Sequence, residues 1–207
     1  MSIRIRALSL AGISGSAGVM GYAFVYAYTH GSNTVNAMGS WLGLNELEWG
    51  RVAAIIPVLL WASLLAFRRY VGNRVTRPFG IGYRLASAAM GMRVLSEIPQ
   101  FYVDMRLEYQ SPLGLGSWFG YLLSVILLTL GMLLMGIGCR LAGVTGVVAH
   151  APLLIGLLTI PTIAAGGILA EISDDRTIFR VITGVLSIPQ AMAWLWFSIV
   201  PLRKGEL

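Results

Sequence analysis

The chain has 207 residues, 57% of them hydrophobic and 12% charged, with a formal net charge of +6. A soluble domain carries roughly 25% charged residues, so this composition excludes a globule covered by water and calls for lipid around it. The basic residues are scattered over links and form no aromatic-interleaved basic face, which excludes a nucleic-acid-binding protein, and the one cysteine, Cys139, cannot close an intrachain disulfide.

A membrane-crossing helix needs about 20 mostly apolar residues, and six such stretches follow one another with short links. The pattern predicts a single all-α membrane domain, a polytopic bundle of six transmembrane helices. The opening MSIRIRALSLAGISGSAG has the arginines, apolar run and small residues of a signal peptide, and is read as part of a first spanning helix at 7–28. Gly12/Ser16 and Ser14/Gly18 are small-xxx-small pairs that let another helix approach closely, which predicts a packing face at Gly12, Ser16 and Gly18 and association with a second copy or a larger membrane complex. The stretch 29–45, with Trp41, reads as a short helix on the outer surface. Asn45 and Glu48 form a capping-box-like start for a second helix at 46–70. The third is expected at 79–102, the fourth at 117–139, the fifth at 142–170 and the sixth at 174–202.

Orientation follows from the basic residues of the links. With the N-terminus inside, nine basic residues (Arg4, Arg6, Arg68, Arg69, Arg74, Arg77, Arg140, Arg203 and Lys204) lie inside, and Arg51, Arg106, Arg176 and Arg180 lie outside. The acids are distributed the other way. This predicts a multi-pass protein of the cell inner membrane with both termini in the cytoplasm. VLSEIPQ (Val94–Gln100) reappears as VLSIPQ (Val185–Gln190), and VAAIIPVLL (Val52–Leu60) resembles VVAHAPLLI (Val147–Ile155). That order suggests a three-plus-three inverted repeat, as in many transporters, although apolar segments share a small alphabet.

Five polar residues are candidates for an intramembrane pocket: Arg93, Glu97, Gln100, His150 and Gln190. Arg93 and Glu97 are four apart and share a helix face. Counted from the expected end of the third helix, Arg93 lies roughly 13 Å deep, where a charge must face a partner or a wet cavity. The pair either holds an anionic ligand or locks the helix to its neighbours. His150, expected roughly 12 Å into the fifth helix, either relays protons or hydrogen-bonds a neighbour. Pro99–Gln100 and Pro189–Gln190 place an amide beside a backbone carbonyl freed by proline. Arg84, near the inner surface, can snorkel. The two histidines, His30 and His150, fall at opposite levels, so a bis-histidine haem within one chain is not expected, and the cofactor is otherwise open. GISGSAG (Gly12–Gly18) superficially resembles a serine-nucleophile motif, but its nearest intramembrane histidine is at the other surface, beyond the reach a base requires.

Arg51, AFRRYVGN (Ala66–Asn73), GMRVL (Gly91–Leu95) and WLWFSIVPLRKG (Trp194–Gly205) together resemble a bacterial six-span membrane family of unknown function. The resemblance implies six helices in a bacterial inner membrane and no activity. Two functions follow as expectations. The first is a small transporter or accessory subunit of a membrane complex without catalytic residues. The second is a membrane-embedded enzyme acting on a lipid or isoprenoid, with Glu97 or His150 as acid–base group. The acids and bases are few and dispersed, which favours the first.

Overall fold

The structure, a computed structural model, describes residues 3–30, 46–72, 76–98, 112–144, 146–173 and 176–202. Among these residues there are six α-helices and no strand: α1 (Ile3–His30), α2 (Glu46–Val71), α3 (Arg77–Glu97), α4 (Pro112–Leu141), α5 (Val147–Ser173) and α6 (Arg176–Ile199), with a 3-10 turn at Val200–Leu202. Among the described residues three windows are long and apolar enough to cross a membrane: Ala54–Val71 in α2, Pro112–Leu141 in α4, and Gly184–Leu202 in α6 and its closing turn. The apolar part of α5, Val148–Ala164, is shorter, and α3 is diluted by Arg77, Arg84, Arg93 and Glu97.

The sidedness of α4 shows what solvent this fold is built for. Its buried face is small, polar or flexible: Gly114, Ser124, Thr129, Gly131, Met132, Met135, Gly136 and Gly138. Its exposed face carries Leu113, Phe119, Leu123, Ile126, Leu130 and Ile137. A water-soluble helix buries its large apolar side chains. Small residues inward and leucines outward are the pattern of helices packed in lipid, where close backbone approach rather than water exclusion drives association.

Sequence neighbours pack on one another, and α6 returns to α1, so the helices close a ring. Opposed residues show that neighbours run antiparallel. Gly12 and Gly18 of α1 face Ser63 and Ile56 of α2, and Gly136 and Gly156 of α4 and α5 face Leu153 and Leu133. The tightest seam joins α3 to α4. A Cβ on Gly82 would lie 2.5 Å from the Gly131 carbonyl oxygen, one on Gly131 would lie 2.5 Å from the Ala86 nitrogen, and one on Gly138 would collide with the Phe79 backbone. The two backbones touch over several turns, which only glycine permits.

The links explain where helices start and stop. Gly72 closes α2 at φ 60°, its N–H donating to the Arg68 carbonyl and its own carbonyl accepting from Arg68 Nη1 at 2.9 Å. Thr76 stands at the start of α3, before Pro78, yet it does not cap its own helix. Its hydroxyl donates instead to the Gly138 carbonyl at 3.0 Å, which ties the start of α3 to the end of α4. There the Gly143 N–H donates to the Arg140 carbonyl and the Val144 N–H to the Cys139 carbonyl, with Gly143 at φ 73°, a Schellman ending. Gly146 is also left-handed, at φ 72°. These two glycines delay the fifth helix from the expected position 142 to Val147.

The packed core fills the end of the bundle that holds the start of α1 and the end of α2. Phe67 of α2 is fully buried and stacks on Phe197 of α6 with centroids 4.4 Å apart and on Phe79 of α3 at 6.3 Å. Trp194 meets Phe197 edge-on at 5.6 Å, and Met132, Met135, Val148 and Ile155 complete the cluster. The small face of α1 serves this monomer. Gly12 abuts Ser63 and lies 2.6 Å, from its notional Cβ, to Ser198 of α6; Gly15 abuts Leu59. Ser16 is fully buried, with its hydroxyl donating to the Gly12 carbonyl at 2.8 Å. Gly12, on the face expected to receive another chain, thus meets α2 and α6 of the same chain, because the ring brings the last helix back onto the first, and Ser16 one turn on is buried.

Candidate functional site

Glu97 is the one charged residue buried among the described residues, at 7% exposure. It occupies the last position of α3, where unpaired carbonyls already carry partial negative charge. A carboxylate there needs compensation, and Arg93, one turn earlier, supplies it with Nε 2.8 Å from Oε1. The guanidinium also lies over the ring of Tyr121 on α4, 3.8 Å from its centroid, a cation–π contact. Ser96 lies beside Gly120 across the same seam. Arg93 is a third exposed, so its outer donors can meet an anionic group at the rim of the α3–α4 seam.

This site sits nearer the end of α3 than the sequence suggested. The third helix, expected to reach 102, closes at Glu97, with the Ile98 N–H turning to the Leu95 carbonyl in a 3-10 bond. Pro99 follows and has no N–H to continue the ladder. Arg93 is therefore one turn from the helix end, and Gln100 lies outside the described residues.

The other candidates stand elsewhere. Gln190 on α6 donates to the Thr159 hydroxyl on α5 at 3.0 Å. The Thr159 hydroxyl donates in turn to the Ile155 carbonyl at 2.7 Å, so the chain of bonds satisfies a polar pair between two helices. Nearby, Thr162 donates to the Leu158 carbonyl at 2.6 Å. His150 lies in the first turn of α5 and is exposed, and its Nδ1 pairs with the Gly146 carbonyl of its own chain end. The sequence places it five residues, about one and a half turns, deeper, because it puts the start of α5 at 142 and not at Val147. Arg93 with Glu97, Gln190 with Thr159, and His150 thus occupy three separate places, since α3 packs chiefly on α4 and α2, and Gln190 bridges α6 to α5.

Tyr121 and Thr159 were not among the residues the sequence pointed to. Neither carries charge, and each becomes a partner only through the antiparallel register of its helix against the next. Among the described residues no group of three His, Cys, Asp or Glu side chains could hold a metal ion.

Replacing Arg93 by alanine removes the guanidinium that is ion-paired with the buried Glu97 carboxylate. Breaking a buried pair costs roughly 3–5 kcal/mol, and the partial exposure of Arg93 lowers the expected loss to about 2 kcal/mol. Arg84→Ala, at an exposed position, is expected to change stability by less than about 0.5 kcal/mol. Unfolding of the two variants in one detergent checks this; equal stabilities would show that Arg93 is not the counter-ion that keeps Glu97 in place.

No protein-family model matches the chain, no curated protein matches it, and no solved structure matches it.

Proposed function

We propose that this chain is a non-catalytic accessory subunit of an inner-membrane complex, crossing the bilayer six times with both termini in the cytoplasm. The observation that carries the reading is the filled end of the bundle at the start of α1 and the end of α2: Phe67, Phe79, Phe197 and Trp194 pack across it, where a transport path through the ring would have to open. The polar candidates form pairs between adjacent helices and do not gather into a catalytic set, which supports a structural role over an enzyme acting on a lipid.

The distribution of arginines supports the orientation. Arg4, Arg6, Arg69, Arg77 and Arg140 are all exposed, at helix ends that antiparallel packing gathers at one pole, and basic residues favour the cytoplasmic side. A fluorescent protein fused after Leu207 is expected to fluoresce, and alkaline phosphatase at the same point is expected to be inactive. The reverse pair of results overturns the orientation.

The role itself is tested by native mass spectrometry of protein extracted with its surrounding membrane. A defined polypeptide partner at fixed stoichiometry is the expected result. If the protein reconstituted alone moves a solute across vesicles, and Arg93→Ala abolishes that movement, the accessory reading fails and transport replaces it.

A further inference from the structure

On the outer side of the α5–α6 pair runs a groove of about 520 Å³ lined by Leu154, Leu158, Pro189, Met192, Trp196 and Ile199 among others, all apolar. From Pro189 to Ile199 it follows α6 for ten residue steps, roughly 15 Å, which is about half the ~30 Å hydrocarbon thickness of a bilayer. One end stops at the Gln190–Thr159 hydrogen bond, next to Pro189 and Leu158. The other end opens toward the pole that carries the exposed arginines.

His150 stands at that open end. It precedes Leu154 and Leu158 at successive four-residue steps, so the three share one stripe of α5, and it is exposed. Its Nδ1–H donates to the Gly146 carbonyl, so Nε2 can donate to an anion only in the doubly protonated ring, and the permanent positive charge at this level is that of Arg140. Arg140, also exposed, lies one turn beyond Gly136, which packs against the Ala149 carbonyl and Leu153. The cation therefore stands at the level of the first turn of α5. An apolar groove one leaflet deep that opens toward the level of an imidazole and a guanidinium on α5 and α4 matches the polarity of a phospholipid.

We propose that this groove is a binding site for one phospholipid of the leaflet at the arginine-rich pole, with an acyl chain along Leu154, Leu158, Met192 and Trp196 and the phosphate beside His150 and Arg140. A partner's transmembrane helix is a poor fit: it is about 10 Å across and must run the full ~30 Å of the core, twice the groove's length. The inference rests on the membrane reading but not on the accessory role, and a lipid fixed against α5 and α6 would fill an open seam between two helices that are joined by the Gln190–Thr159 pair and by the Thr162 hydroxyl donating to the Leu186 carbonyl.

The test uses the full chain extracted in mild detergent. Native mass spectrometry is expected to show one retained phospholipid on the wild type. Met192→Trp fills the groove from a half-exposed position and is expected to lower the bound fraction severalfold. Leu157→Trp, on the outward face of α5 but outside the groove, is expected to leave it unchanged. If Met192→Trp does not fold, the wild type carries the test alone: a phospholipid with a diazirine in its acyl chain should label the segment 189–199 in preference to the outward leucines and isoleucines of α4. Equal lipid loss in both variants, label spread evenly over α4 and α6, or a polypeptide cross-linked in place of the lipid each overturns the proposal. The same spectra report whether a partner subunit is retained, so loss of the lipid with the partner still bound separates this site from the accessory role.

Discussion

Gly131→Leu is expected to cost about 3 kcal/mol or more and to leave much of the protein unfolded in detergent. Overpacking a well-filled site costs about 1–3 kcal/mol when side chains can yield. Here they cannot, because a Cβ at this position lies 2.5 Å from the Ala86 nitrogen and 2.8 Å from the Gly82 carbonyl oxygen. Backbone cannot swing aside as a leucine tip can, so α3 and α4 must separate along their length. That movement also pulls Tyr121 from beneath Arg93 and strains the Thr76–Gly138 bond at the other end of the seam. Gly116→Leu is the control, since nothing lies within 4 Å of a Cβ there; its effect is expected to stay within about 0.5 kcal/mol. Denaturant titration of both variants decides the matter, and equal midpoints would mean that α3 and α4 do not meet as described.

Phe67→Ala is expected to lose about 3–5 kcal/mol, the usual cost of removing a phenyl group from a packed core. Phe67 is the residue where α2, α3 and α6 meet, touching Phe79, Phe197 and Tyr70. No neighbour on one helix can fill the gap without leaving its contact on another. Phe67→Leu is expected to recover part of the loss. Phe119→Ala, at a position 64% exposed, removes only an edge contact with Trp118 and is expected to cost less than about 1 kcal/mol. Intrinsic tryptophan fluorescence follows the transition, because Trp194 packs on Phe197 within the same cluster. A Phe67→Ala variant as stable as Phe119→Ala would show that the aromatic stack is not the keystone of the bundle.

Both expectations concern contacts between helices. Hydropathy and one capping signal identified the helices themselves: the second helix starts at Glu46, as Asn45 and Glu48 imply, and the fourth covers the expected 117–139 within Pro112–Leu141. An apolar run of sufficient length has one way to satisfy its backbone in lipid, so the helical state is written locally. The ends were less legible. Pro99 does lie where α3 has already closed, and Gly143 and Gly146 do delay α5, but a glycine or proline near a helix end acts only once the neighbouring helix decides whether the chain must turn there.

The sequence by itself determined an all-α protein rich in apolar helices, with its arginines gathered toward one pole, and it paired Arg93 with Glu97, four residues apart on one helix face. These are properties of spacing within a single element. Tertiary structure alone decided that Tyr121 lies under Arg93, that Thr159 receives Gln190, that the small face of α1 is taken by α2 and α6, and that His150 stands exposed at a helix start and apart from the Arg93–Glu97 pair. Each depends on the register and facing of one helix against another. In lipid that register is set by where glycines let two backbones touch, and the opposing glycines lie about fifty residues apart in the chain, as with Gly82 and Gly131.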